Sequence, residues 1–190
     1  MVARHAESEL NVRDVLNGDP AVQARLTARG EDQARALGIR AGDVDVAAHT
    51  SFERTRRTAE LAWPGAVLIS VPEVDEIRFG RWEGTRWGDG YADWVRAAGP
   101  EEEVAGGGES RAAAARRYVQ GYRKLLQRPE DRVALVAHGA SVRYLLLAAG
   151  GATPVPCLEP VPPAEPFLLE RDAVARAIDV LERWLESPAF

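Results

Sequence analysis

The chain has 190 residues, a length that suits one domain with a real hydrophobic core. With 46% hydrophobic and 28% charged residues it has the composition of a soluble globular protein, and no run approaches the roughly 20 apolar residues of a spanning helix. A net charge of −5 argues against nucleic acid or an anionic membrane as partner, because both require a broad basic surface.

Short apolar runs alternate with helical periodicity, the pattern of an α/β layered fold with a largely parallel sheet. Strands are expected at Met1 to His5, Val44 to Ala48, Val67 to Val71 and Arg132 to Ala137. Helices are expected at Thr27 to Arg40, Ser51 to Ala62, Glu109 to Gln127, Ala140 to Ala149 and Arg171 to Glu186. In the third helix Ala115, Val119, Tyr122 and Leu126 fall on one face, and Glu109 and Ser110 suit its start. The stretch Gly84 to Pro100, with Trp87, Tyr91 and Trp94, reads as a mobile aromatic segment holding one helical turn. The proline-rich run Thr153 to Pro166 cannot be a central strand or a helix interior. Val174, Ile178, Leu181 and Leu185 form an apolar stripe on the last helix that packs on the body, a dimer contact being the alternative.

Amino-acid usage within these elements is uneven. Lys124 is the only lysine against 23 arginines, and there are three histidines, His5, His49 and His138. The arginine excess fits a general compositional bias. Each histidine ends a strand-like run; His5 has Arg4 beside it, and His138 is followed by Gly139 and a helix start. Carboxyl ends of parallel strands are where such sheets bind ligands, and a helix start favours an anion. A lone histidine is more often structural, and position alone does not separate the three. Cys157 is the only cysteine, so no internal disulfide forms. The scattered histidines show no metal-ligand spacing, so neither metal nor cofactor is expected.

The segment Arg4-His5-Ala6-Glu7-Ser8, with Asn11 following, resembles the Arg-His-Gly-Glu-Thr/Ser hallmark of the histidine phosphatase superfamily, which includes the cofactor-dependent phosphoglycerate mutases. Leu26-Thr-Ala-Arg-Gly30 with Gln33-Ala34 is similar to its Leu-Thr-x-x-Gly-x-x-Gln-Ala stretch, and Thr50-Ser-Phe-Glu-Arg54 with Thr58-Ala59 to its second arginine element. Glu76-Ile-Arg-Phe-Gly80-Arg-Trp-Glu83-Gly84 resembles the Glu-x-x-x-Gly-x-x-Glu-Gly block of the phosphatase branch; Gly108-Glu-Ser110 and Val136-Ala-His138-Gly139 match two later elements. Six motifs in order are a strong match. Ala6 for glycine and Ser51 for proline are mild departures.

The resemblance implies a three-layer α/β sandwich with a mostly parallel sheet, phosphoglycerate mutase-like, over residues 1–190, with a lid-like segment around 84–108. It implies His5 as the nucleophile that becomes phosphohistidine and Glu76 as the proton donor and acceptor. Arg4, Asn11, Arg54, a protonated His138 and Gly139 would bind the phosphate of a small phosphorylated substrate. Glu7 and Glu83 are expected to be structural, Arg56 and Arg57 solvated, and Arg78, Arg81 and Arg86 to be candidates for an acidic substrate; His49 has no role.

The implied activity is metal-independent hydrolysis of a small phosphate monoester. A mutase is the alternative within the family, and a non-catalytic phosphate-binding regulator the alternative outside it. The compact chain and the Trp82-Glu83-Gly84 block favour hydrolysis. A homodimer is possible. The amino end carries no signal-peptide pattern, so the expected compartment is the cytoplasm. Only Met1 to Ala3 precede Arg4, which implies a very short first strand or a native start upstream.

Overall fold

A computed structural model describes residues 1–157 and 159–190. Four parallel strands, β1 (Val2–Arg4), β2 (Val46–His49), β3 (Val67–Ser70) and β4 (Val133–Ala137), form one sheet in the order β1-β4-β2-β3. The helices are α1 (Glu9–Val12), α2 (Ala28–Ala41), α3 (Glu53–Ala62), α4 (Ala92–Ala97), α5 (Arg111–Leu126), α6 (Gly139–Ala149) and α7 (Arg171–Glu186).

Side chains alternate across the strands, so the sheet buries two faces. Ala3, Ala47, Ala134 and Val136 pack with Ala34 and Leu37 of α2 and Ala59 and Ala62 of α3. Val2, Ala48, Leu135 and Ala137 pack on the opposite side with α5, α6 and α7. This is the expected three-layer α/β arrangement. The alanine-rich face is thin: a Cβ on Gly38 would lie 2.0 Å from the Ala62 carbonyl oxygen, so only glycine lets α2 approach α3 this closely.

Local sequence signals position the helices. Thr27 accepts the Gly30 N–H at the start of α2, and Ser110 accepts the Ala113 N–H at the start of α5, as its sequence led one to expect. In α5, Ala115, Val119 and Tyr122 are buried, and in α7 Ile178 and Leu181 lie in the core, so both predicted stripes face the body.

The first strand is short, as expected, yet it is firmly held. Val2 and Phe167 exchange both backbone hydrogen bonds at 2.9 Å, and Ala164 N–H donates to the Arg4 carbonyl at 3.0 Å. The proline-rich run therefore skirts the free edge of β1 with isolated bridges, where missing N–H groups do no harm. Leu158 of that run lies outside the described residues.

Candidate active site

β1 and β4 are neighbours, with Arg4 opposite Ala137, and His5 N–H donates to the Ala137 carbonyl at 2.9 Å. His5 and His138 therefore leave adjacent parallel strands at the same edge, with ring centroids 5.4 Å apart. The chain leaving β1 runs to α2 on one face and the chain leaving β4 runs to α6 on the other. Between two such strands a crevice opens at their carboxyl ends. A cavity of about 560 Å3 lies there, lined by Arg4, His5, Asn11, Arg54, Glu76 and Gly139 among others. His138 is fully buried behind it.

Hydrogen bonds set the tautomer of His5. Nδ1 lies 2.7 Å from the Ala6 carbonyl oxygen, an acceptor, so Nδ1 carries the proton. Nε2 is left with its lone pair, and Arg54 Nε–H donates to it at 3.1 Å. Burial, followed by the charges of Arg54 and Arg4, pushes the His5 pKa well below its ordinary value. The ring is neutral, with a nucleophilic nitrogen facing two cations.

Arg54 is the hub. From the first turn of α3, Nη1 donates to Asn17 Oδ1 at 2.5 Å and Nη2 to the Asn17 carbonyl at 3.0 Å, while Nη2 also reaches His138 Nδ1 at 3.3 Å. The guanidinium carbon sits 4.2 Å from the Phe52 ring centroid. Burial lowers its pKa to about 10, which leaves it cationic at neutral pH. Arg4 donates to the Val161 carbonyl through Nη1 at 3.0 Å, and its buried Nε has no partner among the described residues.

His138 departs from expectation. With Arg54 donating toward Nδ1, its Nε2–H donates to Thr50 Oγ1 at 2.9 Å. Burial first, then the charges of Arg54, His5 and Arg4, hold the ring pKa well below normal, so the imidazole is neutral rather than protonated. Thr50 directly follows β2, which lies beside β4, and this places its hydroxyl within reach of His138. His138 Nδ1 lies 4.0 Å from Glu76 Oε2.

The Glu76 carboxyl is only 15% exposed, and burial raises its pKa above the ordinary value against the opposing pull of Arg54 and Arg4. Its backbone is pinned from α5. Arg117 donates to the carbonyls of Glu73 at 3.0 Å, Asp75 at 2.9 Å and Glu76 at 3.4 Å, and grips Glu109 through Nε at 3.1 Å and Nη2 at 2.8 Å. Glu109, read in sequence as a helix-start residue, thus anchors the loop that carries Glu76.

Asn11 ends the Ser8 capping box, its Oδ1 accepting the Ser8 N–H at 3.0 Å, so its amide N–H groups remain to serve the cavity. A Cβ on Gly139 would meet nothing within 4 Å, so its backbone borders open space at the α6 start. Ala6 is buried without a positive φ, which explains how alanine replaces glycine there.

The remaining predicted residues take structural or surface roles, Glu7 alone among them lining the cavity. Glu83 holds a turn by accepting Gly18 N–H at 2.9 Å and Phe79 N–H at 2.8 Å. Glu7 accepts the Thr27 hydroxyl at 2.8 Å and pairs with Arg29 at 3.4 Å. Arg56 and Arg57 pair with glutamates on an exposed face. Arg78, Arg81 and Arg86, candidates for substrate contact, do not line the cavity; Arg78 leans on Glu109 at 3.5 Å and Arg81 on the Trp82 ring at 4.7 Å. His49 bonds the Thr50 carbonyl and also lies outside the lining. Sequence reading missed Asn17, Thr50, Arg117 and Arg111. Only Thr50 sat in a recognised motif, and the other contacts join segments distant in sequence.

The histidine phosphatase superfamily (branch 1) profile matches residues 1–159. A 2,3-bisphosphoglycerate-dependent phosphoglycerate mutase from Brucella ovis is 30% identical over 178 residues, covering 81% of this chain and 82% of the relative. The structure of a phosphoglycerate mutase from Thermus thermophilus matches with TM-score 0.65 and 33% identity, covering 86% of this chain and 87% of that one. The alpha-ribazole phosphatase from Shigella flexneri shares the fold with TM-score 0.67 at 23% identity, covering 80% and 79%. The chain belongs to the histidine phosphatase superfamily, whose members include phosphatases and mutases, and its fold is phosphoglycerate mutase-like. Nearly equal coverage of both chains means that the Brucella mutase is of similar length, so compactness does not separate hydrolysis from mutase chemistry.

Proposed function

We propose that the protein hydrolyses a small phosphate monoester through a phosphohistidine on His5. The observation that carries this reading is the pairing of a neutral His5 with a carboxyl held toward its protonated form. Opposite shifts, downward for His5 and upward for Glu76, each favour the uncharged form and divide the roles of nucleophile and acid.

In the first step His5 Nε2 forms a bond to phosphorus while the bond to the ester oxygen breaks, and Glu76 gives its proton to the departing alkoxide. Arg4, Arg54, the Asn11 amide and the α6 start hold the three non-bridging oxygens, and neutral His138, behind the cavity, orients Arg54 through its Nδ1. In the second step the Glu76 carboxylate takes a proton from water, the oxygen bonds phosphorus and the N–P bond breaks. Orthophosphate leaves and both residues return to their starting forms. The phosphate charge is met by side chains, and no step is routed through a metal.

The deciding assay measures orthophosphate release from monoesters, with and without EDTA, beside isomerisation of 3-phosphoglycerate. The reading expects EDTA-resistant release that exceeds isomerisation. Isomerisation faster than release establishes the mutase reading, which the Brucella and Thermus relatives favour. Absence of both, with no phosphohistidine, leaves a phosphate-binding protein.

Glu76→Gln tests the acid. The raised pKa keeps the carboxyl protonated above its ordinary 4.5, and that form is lost as pH rises through the shifted value. kcat/KM for an alkyl ester therefore falls on the alkaline side, and the variant loses that limb together with about 100-fold or more of kcat. With p-nitrophenyl phosphate, whose leaving group needs no proton, the first step survives and phosphohistidine accumulates, read as a burst. Equal pH profiles for variant and parent would remove Glu76 from this role.

A further inference from the structure

Beyond the phosphate-binding groups, the cavity continues into a second compartment of different chemistry. Its walls include Phe79, Trp87, Tyr91, Tyr118 and Tyr144. Phe79 and Trp87 each meet Tyr91 edge to face, at 5.0 Å and 5.2 Å, and Tyr118 meets Tyr144 in the same manner at 6.0 Å. Trp87 is 39% exposed at the mouth, whereas Tyr91, Tyr118 and Tyr144 are buried. The first three aromatics belong to the loop after β3 and the adjoining segment, and the tyrosine pair comes from α5 and α6.

Two further observations define what fits. Tyr118 lines the cavity, and its hydroxyl is buried with no hydrogen-bond partner among the described residues. A buried phenol without a partner is costly, and a polar atom on a bound molecule would satisfy it. Arg111, among the described residues the only arginine lining the cavity besides Arg4 and Arg54, gives its terminal nitrogens to the carbonyls of Val95 at 2.7 Å, Pro156 at 2.9 Å, Ala98 and Gly99, and its buried Nε has no partner among the described residues. Glu7, Asp14 and Glu159 also line the cavity.

We propose that this compartment selects phosphate esters of alcohols that carry an aromatic or heteroaromatic ring over those that carry none. The inference rests on the phosphatase reading of the same site. The ring packs against Trp87 and Tyr91, and a polar ring atom meets the Tyr118 hydroxyl.

The test compares kcat/KM for four esters of primary alcohols, so that leaving-group basicity does not decide the result: 2-phenylethyl phosphate, a nucleoside 5′-monophosphate, glycerol 3-phosphate and 3-phosphoglycerate. The ring-bearing esters are expected to exceed both glycerol 3-phosphate and 3-phosphoglycerate by about tenfold or more. Trp87→Ala, at a half-exposed position, is expected to shrink the ratio of phenylethyl to glycerol ester several-fold. Tyr118→Phe is expected to lower the ratio of nucleoside ester to phenylethyl ester by up to about tenfold, since one hydrogen bond is lost. Hydrolysis of glycerol 3-phosphate or 3-phosphoglycerate as fast as the ring-bearing esters, with His5-dependent turnover intact, overturns the substrate class and leaves the phosphatase. No turnover of any ester and no phosphohistidine overturns both.

Discussion

His5→Ala is expected to abolish phosphoryl transfer, lowering kcat by about 10,000-fold or more, and to leave no acid-labile, base-stable phosphoprotein when a labelled ester is mixed with the protein. The reason is geometric as well as chemical. Nε2 is the atom poised toward Arg54, and the Nδ1 contact with Ala6 leaves it no freedom to exchange roles. His138 cannot substitute, because its Nε2 is tied to Thr50 behind the cavity. A thermal melt separates loss of chemistry from loss of fold, and it carries a pH sign of its own. The native His5 pKa is depressed, so below about 6.5 the unfolded chain takes up a proton that the native protein refuses, and stability drains as pH falls. Removing the imidazole removes that drain, so the drop in Tm between pH 7 and pH 5 is smaller in the variant. Phosphoprotein formation in His5→Ala at the parent rate would transfer the nucleophile elsewhere.

Arg54→Lys is expected to cost about a thousandfold in kcat/KM despite keeping the charge. The guanidinium holds Asn17 through two donors and His5 and His138 through two more contacts, and it lies over the Phe52 ring. An ammonium is a single point with no fork, so it can satisfy one or two of these groups and leaves the others buried without partners. The loss is expected in kcat and KM together, since the same donors orient the nucleophile and grip the phosphate. Arg56→Lys, two residues along on the exposed face, provides the contrast and is expected to match the parent. If Arg54→Lys retained more than a tenth of the parent kcat/KM, charge alone would suffice and the fork geometry would lose its place in the reading.

How far the sequence reached varies by element. The four strands and five long helices were legible because alternation and helical periodicity are local properties, and observed boundaries shift by one or two residues where caps and bends intervene. The four-residue α1 was not legible, because it consists of one capping box that needs the Ser8 and Asn11 side chains in place. The aromatic segment after Gly84 was read as mobile with one helical turn. The turn is α4, and Tyr91 docks the segment against Phe79. Arg111 reaches into it from α5 through backbone carbonyls that no motif marks.

The chain itself determined the inventory of the site: Arg4, His5, Arg54, Glu76 and His138 stand in ordered motifs whose spacing needs no coordinates to read. Strand order decided their meeting. β4 inserts between β1 and β2, so residues more than a hundred positions apart become neighbours at one sheet edge, and Thr50 is delivered beside His138 by the same register. Protonation was likewise decided by the tertiary structure. Sequence reading made His138 a cation, but desolvation and nearby arginines are properties of packing, and they leave it neutral. The local cationic character inside an acidic chain comes from two arginines that packing withdraws from water around one cavity, a balance that composition cannot contain.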